Sequence, residues 1–213
     1  MKVYEALAQA FTEEGASDVF AMMGGGNRQW LNAMARRGAR LHAVRHEGAG
    51  LGMADGFARV TGRPGVVSTT SGPGITQLST TMVVASRART PLVAYCGEVA
   101  LGDESDVQYF DSQRYAAAIE CEFIRLLKPE AAYEAARRAF YIARTESRPV
   151  ILSAPEDVQQ LDVEECPRPW GPRPPAPRAI TRQAPVSCWP ARSPTRRSSS
   201  SRQASSTRAV PAA

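Results

Sequence analysis

The chain contains no run of ~18 uninterrupted apolar residues, which excludes a helix able to cross a membrane. Its first residues lack a basic segment followed by a long apolar core, so no secretory leader is expected. The four cysteines, Cys96, Cys121, Cys166 and Cys188, lie far apart with no C-x-x-C, and the two histidines, His42 and His46, have no cysteine near them. That spacing argues against a zinc site and against a disulfide framework; a cytoplasmic protein with reduced thiols and no bound metal is the expectation. Acid is the most unevenly missing residue type. Residues 167–213 hold no Asp, Glu or Lys, but nine arginines and ten of the 16 prolines. The other 17 basic residues face all 21 acids, so the net charge of +5 is −4 over residues 1–166 and +9 over the remainder. Basicity confined to a tail is poor support for a nucleic-acid-binding fold, and a nucleic-acid partner is not expected of the body.

What is present divides the same way: a globular body over 1–166 and a Pro/Arg/Ser-rich tail over 167–213. In the body, helical and strand periodicities alternate. Val3, Leu7, Ala10 and Phe11 line one face of a first helix that stops at Gly15. Short apolar runs over 18–23, 41–45, 65–70, 91–96, 123–127 and 149–153 read as strands. Helical patterns over 28–37, 47–60, 75–86 and 131–144 separate them. Continuously apolar strands separated by helices imply an α/β fold: a doubly wound, mostly parallel sheet with helices on both faces, followed by an irregular tail. Ligands in such sheets bind where loops leave the carboxyl ends of strands, here 24–27, 45–47 and 71–74.

Two of those loops carry candidate chemistry. Glu47 falls between a strand and a helix that holds Gly48, Gly50, Gly52 and Gly56. Helical glycine costs up to ~1 kcal/mol relative to alanine, so close approach of another helix or a ligand is the physical candidate. Glu47 alone is equally what a helix N-terminus favours electrostatically. Downstream, Thr70-Ser71-Gly72-Pro73-Gly74 leads a strand into a helix, with a backbone bare enough for a flat ligand to approach.

The ordered series Glu47, Asp55-Gly56-Phe57-Ala58-Arg59, Thr61-Gly62 and Ser71-Gly72-Pro73-Gly74 resembles the N-terminal, pyrimidine-binding domain of thiamine diphosphate enzymes of the acetolactate synthase and benzoylformate decarboxylase type. The resemblance covers roughly residues 1–165. It implies thiamine diphosphate as cofactor and a small 2-oxo acid as substrate, in a decarboxylase or carboligase. Glu47 would be the catalytic residue, bonding N1′ of the aminopyrimidine and favouring the imino tautomer that takes the C2 proton of the thiazolium. Thr70, Gly72, Pro73, Gly74 and Gln77, with Thr76 beside them, would line the pyrimidine. Gly25, Gly26 and Asn27, together with Gln108 and Phe110, resemble the family's substrate-facing loops. His46 resembles a residue that flanks the glutamate.

The resemblance also implies what is missing. Full-length relatives grip the diphosphate and Mg²⁺ in a third domain with a Gly-Asp-Gly motif and a later Asn-Asn pair, whereas Gly102-Asp103-Glu104 lacks the second glycine and no Asn pair follows. A truncated enzyme, inactive alone, is therefore expected. It would be completed as a homo-oligomer such as a dimer, or by a separate diphosphate-binding chain. A basic-tailed nucleic-acid-associated protein is the reading from another class. If Ser198 to Ser201 are encoded TCN, moving the codon boundaries one base upstream from about residue 184 turns them into Phe, Leu, Ile or Val, so the tail reads either as an out-of-frame extension or as a natural disordered segment.

Overall fold

The computed structural model describes residues 1–164; the tail assignments over 167–213 lie outside the described residues. Six strands form one sheet: β1 (Asp18–Ala21), β2 (Arg40–Ala43), β3 (Gly65–Thr69), β4 (Leu92–Glu98), β5 (Glu122–Arg125) and β6 (Pro149–Pro155). Their order is β2-β1-β3-β4-β6-β5, and every pairing is parallel. The α/β, doubly wound architecture is therefore present, with no antiparallel strand in the sheet. β1, β3, β4 and β6 are buried along their whole length. This explains why each reads as a continuous apolar run rather than an alternating one.

One face is covered by α1 (Val3–Glu13), α2 (Arg28–Arg36) and α7 (Ala132–Ile142). The core there is aromatic: the Trp30 and Tyr95 rings stack 4.1 Å apart, and Phe11 meets Trp30 and Phe140 edge-on at 5.0 Å. Offset and edge-on geometries let the ring quadrupoles attract. The other face carries α3 (Glu47–Thr61), α5 (Ser79–Arg87) and α6 (Ser112–Ala118), packed with smaller groups such as Leu51, Ala54, Met82, Ala85 and Cys96.

Some boundaries differ from the sequence expectation. The helix expected over 75–86 is two pieces, α4 (Pro73–Thr76) and α5, broken at Gln77 and Leu78. α6 and α8 (Glu156–Gln159) follow no legible periodicity because they are short. The chain after β1 turns into a single 3-10 turn, Gly25–Asn27.

β2 and β3 lie on opposite sides of β1. The connections leaving β1 and β3 run to opposite sides, which makes the carboxyl edge between them the switch point of the sheet, the crevice where ligands bind in such folds.

Candidate functional site

Glu47 is the first residue of α3 and is half-buried. The helix starts there because His46 caps it: its Nδ1 accepts a hydrogen bond from the Gly48 N–H at 3.1 Å. His46 is thus occupied with the backbone beside Glu47. The glutamate faces the loop after β3. A Cβ built on Gly74 would lie 3.4 Å from Glu47 Oε1, 3.2 Å from Thr70 Cγ2 and 2.4 Å from Thr69 Oγ1. Glu47, Thr70 and Gly74 are therefore neighbours, and only a residue without a side chain fits between them. Thr69 Oγ1 is fully buried and has no hydrogen-bond partner among the described residues. A buried polar atom without a partner is costly, and this one sits at the wall of the crevice.

Gly72 holds φ +50°, a conformation that favours glycine. A Cβ there would stand 2.2 Å from the Gln108 carbonyl oxygen, so the loop after β4 lies directly on Gly72. Pro73 is exposed at the first position of α4, where its missing N–H costs nothing. Gln77 is exposed, and its carbonyl oxygen comes within 3.0 Å of a Cβ placed on Gly48. The helix of Glu47 thereby rests on the end of α4. Thr76 donates to the Pro73 carbonyl at 2.7 Å, which closes the α4 turn.

The 24–27 loop packs on the same strand end. Thr70 Oγ1 accepts from the Gly26 N–H at 3.3 Å, while Gly25 is exposed beside Glu156. Asn27 faces inward and is fully buried. Its amide donates to the Met22 carbonyl and to Ser68 Oγ, and its Oδ1 accepts from the Gly24 N–H. Its side chain is spent on holding the loop shut. Phe110 packs edge-on against Tyr115 at 5.6 Å, and the Tyr115 hydroxyl reaches Ser79 Oγ at 2.9 Å.

Several residues here escaped sequence reasoning. Gln159, buried in α8, donates to the Gly26 and Ala154 carbonyls, which fixes the first loop to the end of β6. Glu98 and Arg125, at the ends of β4 and β5, form an ion pair across β6. No local pattern signals a contact that depends on strand order. Of the α3 glycines, Gly48 and Gly50 have close neighbours, while Gly52 and Gly56 face open space on a surface shared with exposed Met53, Val60, Val83 and Val84. Among the described residues no three His, Cys, Asp or Glu side chains gather as metal ligands, and no helix is long and apolar enough to cross a membrane.

A carboxylate over a glycine cradle, at the point where a doubly wound parallel sheet reverses its winding, defines a ligand-binding α/β domain. Residues 1–119 match the family model of the thiamine pyrophosphate enzyme N-terminal TPP binding domain, and the chain belongs to that family. It is 35% identical over 175 residues to the probable acetolactate synthase large subunit of Methanocaldococcus jannaschii, covering 79% of this chain and 29% of that protein. It is 33% identical over 161 residues to acetolactate synthase 2, chloroplastic, of Nicotiana tabacum, covering 73% and 24%. Similarity to sulfoacetaldehyde acetyltransferase of Castellaniella defragrans is 33% over 162 residues, covering 72% and 26%. The chain thus spans between a quarter and three tenths of the length of the curated relatives it matches.

Family membership implies thiamine diphosphate, and the residues present fit the pyrimidine half of that group. Gly74 leaves a gap that a Cβ would fill, the Glu47 carboxylate borders it, and the Thr69 hydroxyl beside it has no partner among the described residues.

Proposed function

We propose that this chain is the pyrimidine-binding domain of a thiamine diphosphate-dependent enzyme acting on a small 2-oxo acid, a decarboxylase or carboligase of the acetolactate synthase type. The observation that carries the reading is the Glu47 carboxylate poised at the bare Gly74 backbone, inside the segment that the family model matches. Bound thiamine diphosphate supplies a ring able to act as an electron sink for loss of a carboxylate from a 2-oxo acid. Glu47 would share a proton with a ring nitrogen of the bound group, a task suited to a half-buried carboxylate. Thr70 and Asn27 hold the 24–27 loop in place, and the absence of a side chain on Gly74 leaves room beside Glu47.

On this reading the described domain supplies the pyrimidine half of the site, and the groups that hold the diphosphate and Mg²⁺ come from a diphosphate-binding domain, in a second subunit or a separate chain. That domain covers the α3–α5 side, where Met53, Val60, Val83 and Val84 are exposed and a Cβ on Gly52 or Gly56 would meet open space.

Hydrogen exchange of the full chain with and without thiamine tests the first part. Amides of 47–50 and 72–77 become protected in the wild type, and Glu47→Gln removes that protection. Unchanged exchange at saturating thiamine would sink the reading.

A further inference from the structure

Beyond Gly72, on the side away from Glu47, lies a second and more polar recess. It encloses about 50 Å³ between the loop after β3, the ends of β4 and β5, and the 99–112 loop. Ser71, Glu98, Gln108, Phe110, Ser112 and Arg125 line it. Within this wall Arg125 is the sole cation and Glu98 the sole acid.

The pair is asymmetric. Glu98 is buried, whereas the Arg125 side chain keeps 31% of its surface exposed. One terminal guanidinium nitrogen of Arg125 donates to Glu98 Oε1 at 3.1 Å. Its Nε comes within 2.8 Å of Oε2, so Glu98 meets one edge of the guanidinium with both carboxylate oxygens. The Arg125 guanidinium also lies 5.6 Å from the Phe123 ring, which fixes its plane. A guanidinium has five donors in a fixed fork, and Glu98 faces only the Nε and one terminal nitrogen, leaving the other edge for a further acceptor. Ser71 adds a second observation. Its hydroxyl is 1% exposed and has no partner among the described residues.

The acids of the neighbouring loop do not compete for Arg125, because each is occupied locally. Asp103 accepts from Ser105, Glu104 from the Tyr109 hydroxyl, Asp106 from the Gln108 N–H and Asp111 from the Arg114 N–H.

We propose that Arg125 receives the carboxylate of a small oxo acid in this recess, with Glu98 as the positioning residue that holds the guanidinium in place. The proposal deepens the thiamine-enzyme reading and rests on it for the identity of the acid. The recess is large enough for a carboxylate-sized group and polar enough to require one or an equivalent set of waters. It adjoins the Gly72–Gly74 cradle through Ser71 and Gly72, so a bound acid would lie next to the pyrimidine surface.

The test is pyruvate binding to the full chain, followed by ligand-observed NMR, with acetate and acetone as competitors. Saturable binding at millimolar pyruvate is expected, displaced by acetate and not by acetone. Arg125→Gln alone would leave Glu98 buried without its cation and could unfold the chain, so the decisive variant is the double Glu98→Gln/Arg125→Gln, which removes both charges. It should weaken pyruvate by roughly tenfold or more, the scale of a hydrogen bond to a charged group. Arg125→Lys should recover part of the affinity, because it keeps the charge and loses the fork. Glu98→Gln should weaken binding while acetate still outcompetes acetone. The proposal is overturned by unchanged affinity in the double variant, by acetone competing as well as acetate, or by the absence of saturable binding. Thiamine protection of 47–50, read on the same samples, separates the two readings: its loss with Arg125-dependent pyruvate binding intact removes the cofactor assignment and leaves the carboxylate site standing.

Discussion

Two buried polar sites of the sheet, Asp18 at the start of β1 and the turn that follows β3, are satisfied to different degrees. At the amino end of β1, Asp18 is nearly fully buried and saturated. It accepts from Ser17 at 2.8 Å and from His42 Nε2 at 2.9 Å, and it pairs with Arg40 at 2.9 Å. Burial pushes its pKa up, but the His42, Ser17 and Arg40 contacts outweigh that and bring it down to about 2. At the carboxyl end of β3, Thr69 Oγ1 and Ser71 Oγ are buried with no partner among the described residues. A satisfied cluster stabilises the fold; an unsatisfied one costs stability unless something outside the fold completes it. On the proposed reading, a bound ligand is what completes it.

This contrast can be broken experimentally. The largest expected effect is that of Gly72→Ala, whose Cβ would collide with the Gln108 carbonyl at a backbone φ of +50°. A loss of about 1–3 kcal/mol in urea unfolding is expected, together with loss of thiamine protection, because the strain lies in the cradle itself. Next comes Asp18→Asn, expected to cost about 1–3 kcal/mol while leaving thiamine protection intact. It also carries a pH signature. A carboxyl with a folded pKa below its unfolded value stabilises above the unfolded value and loses that contribution as pH falls through the folded one. Wild-type stability should therefore decline between pH ~4 and ~2 more steeply than that of the variant, as acid titrations followed by circular dichroism would reveal. A variant that tracks the wild type through this window would contradict the stabilising role given to Asp18.

Glu47→Gln sharpens the comparison from the other side. It removes one carboxylate from a helix N-terminus, about 0.5 kcal/mol, yet should abolish thiamine protection. The smallest effect belongs to Asp55→Asn, which breaks the Asp55–Arg59 pair of α3 at 2.8 Å. Exposed pairs of this spacing contribute about 0.3–0.5 kcal/mol, and the Asp55 side chain is 15% exposed, so a double-mutant cycle well above that range would mean that burial of the carboxylate strengthens the pair.

The four inner strands, β1, β3, β4 and β6, were legible because burial on both faces makes each of them a nearly continuous apolar run, as in Val66-Val67 and Val150-Ile151-Leu152. Glu47 and the Gly72-Pro73-Gly74 turn were legible because helix starts and side-chain-free turns leave local marks. The break between α4 and α5 was not, since Ile75, Leu78 and Met82 keep a helical spacing across it and all three are buried. Asn27 resembled a residue of a substrate-facing loop; its side chain is fully buried and makes three hydrogen bonds, to Met22, Gly24 and Ser68 of β3. The Glu98–Arg125 pair was illegible for a topological reason: their strands are not neighbours, and β6 lies between them.

That insertion of β6 sets a schedule for synthesis. Among the described residues, the last strand to leave the ribosome is the one that joins β4 to β5, and Gln159 just behind it latches the Gly26 carbonyl. Until that stretch emerges, the nascent chain carries β4 with an unfilled edge, Arg125 away from Glu98, and the 24–27 loop held by Asn27 and Thr70 but without its Gln159 latch. A ribosome stalled before residue 149 would display a domain whose cradle residues are all translated and whose sheet is still split in two.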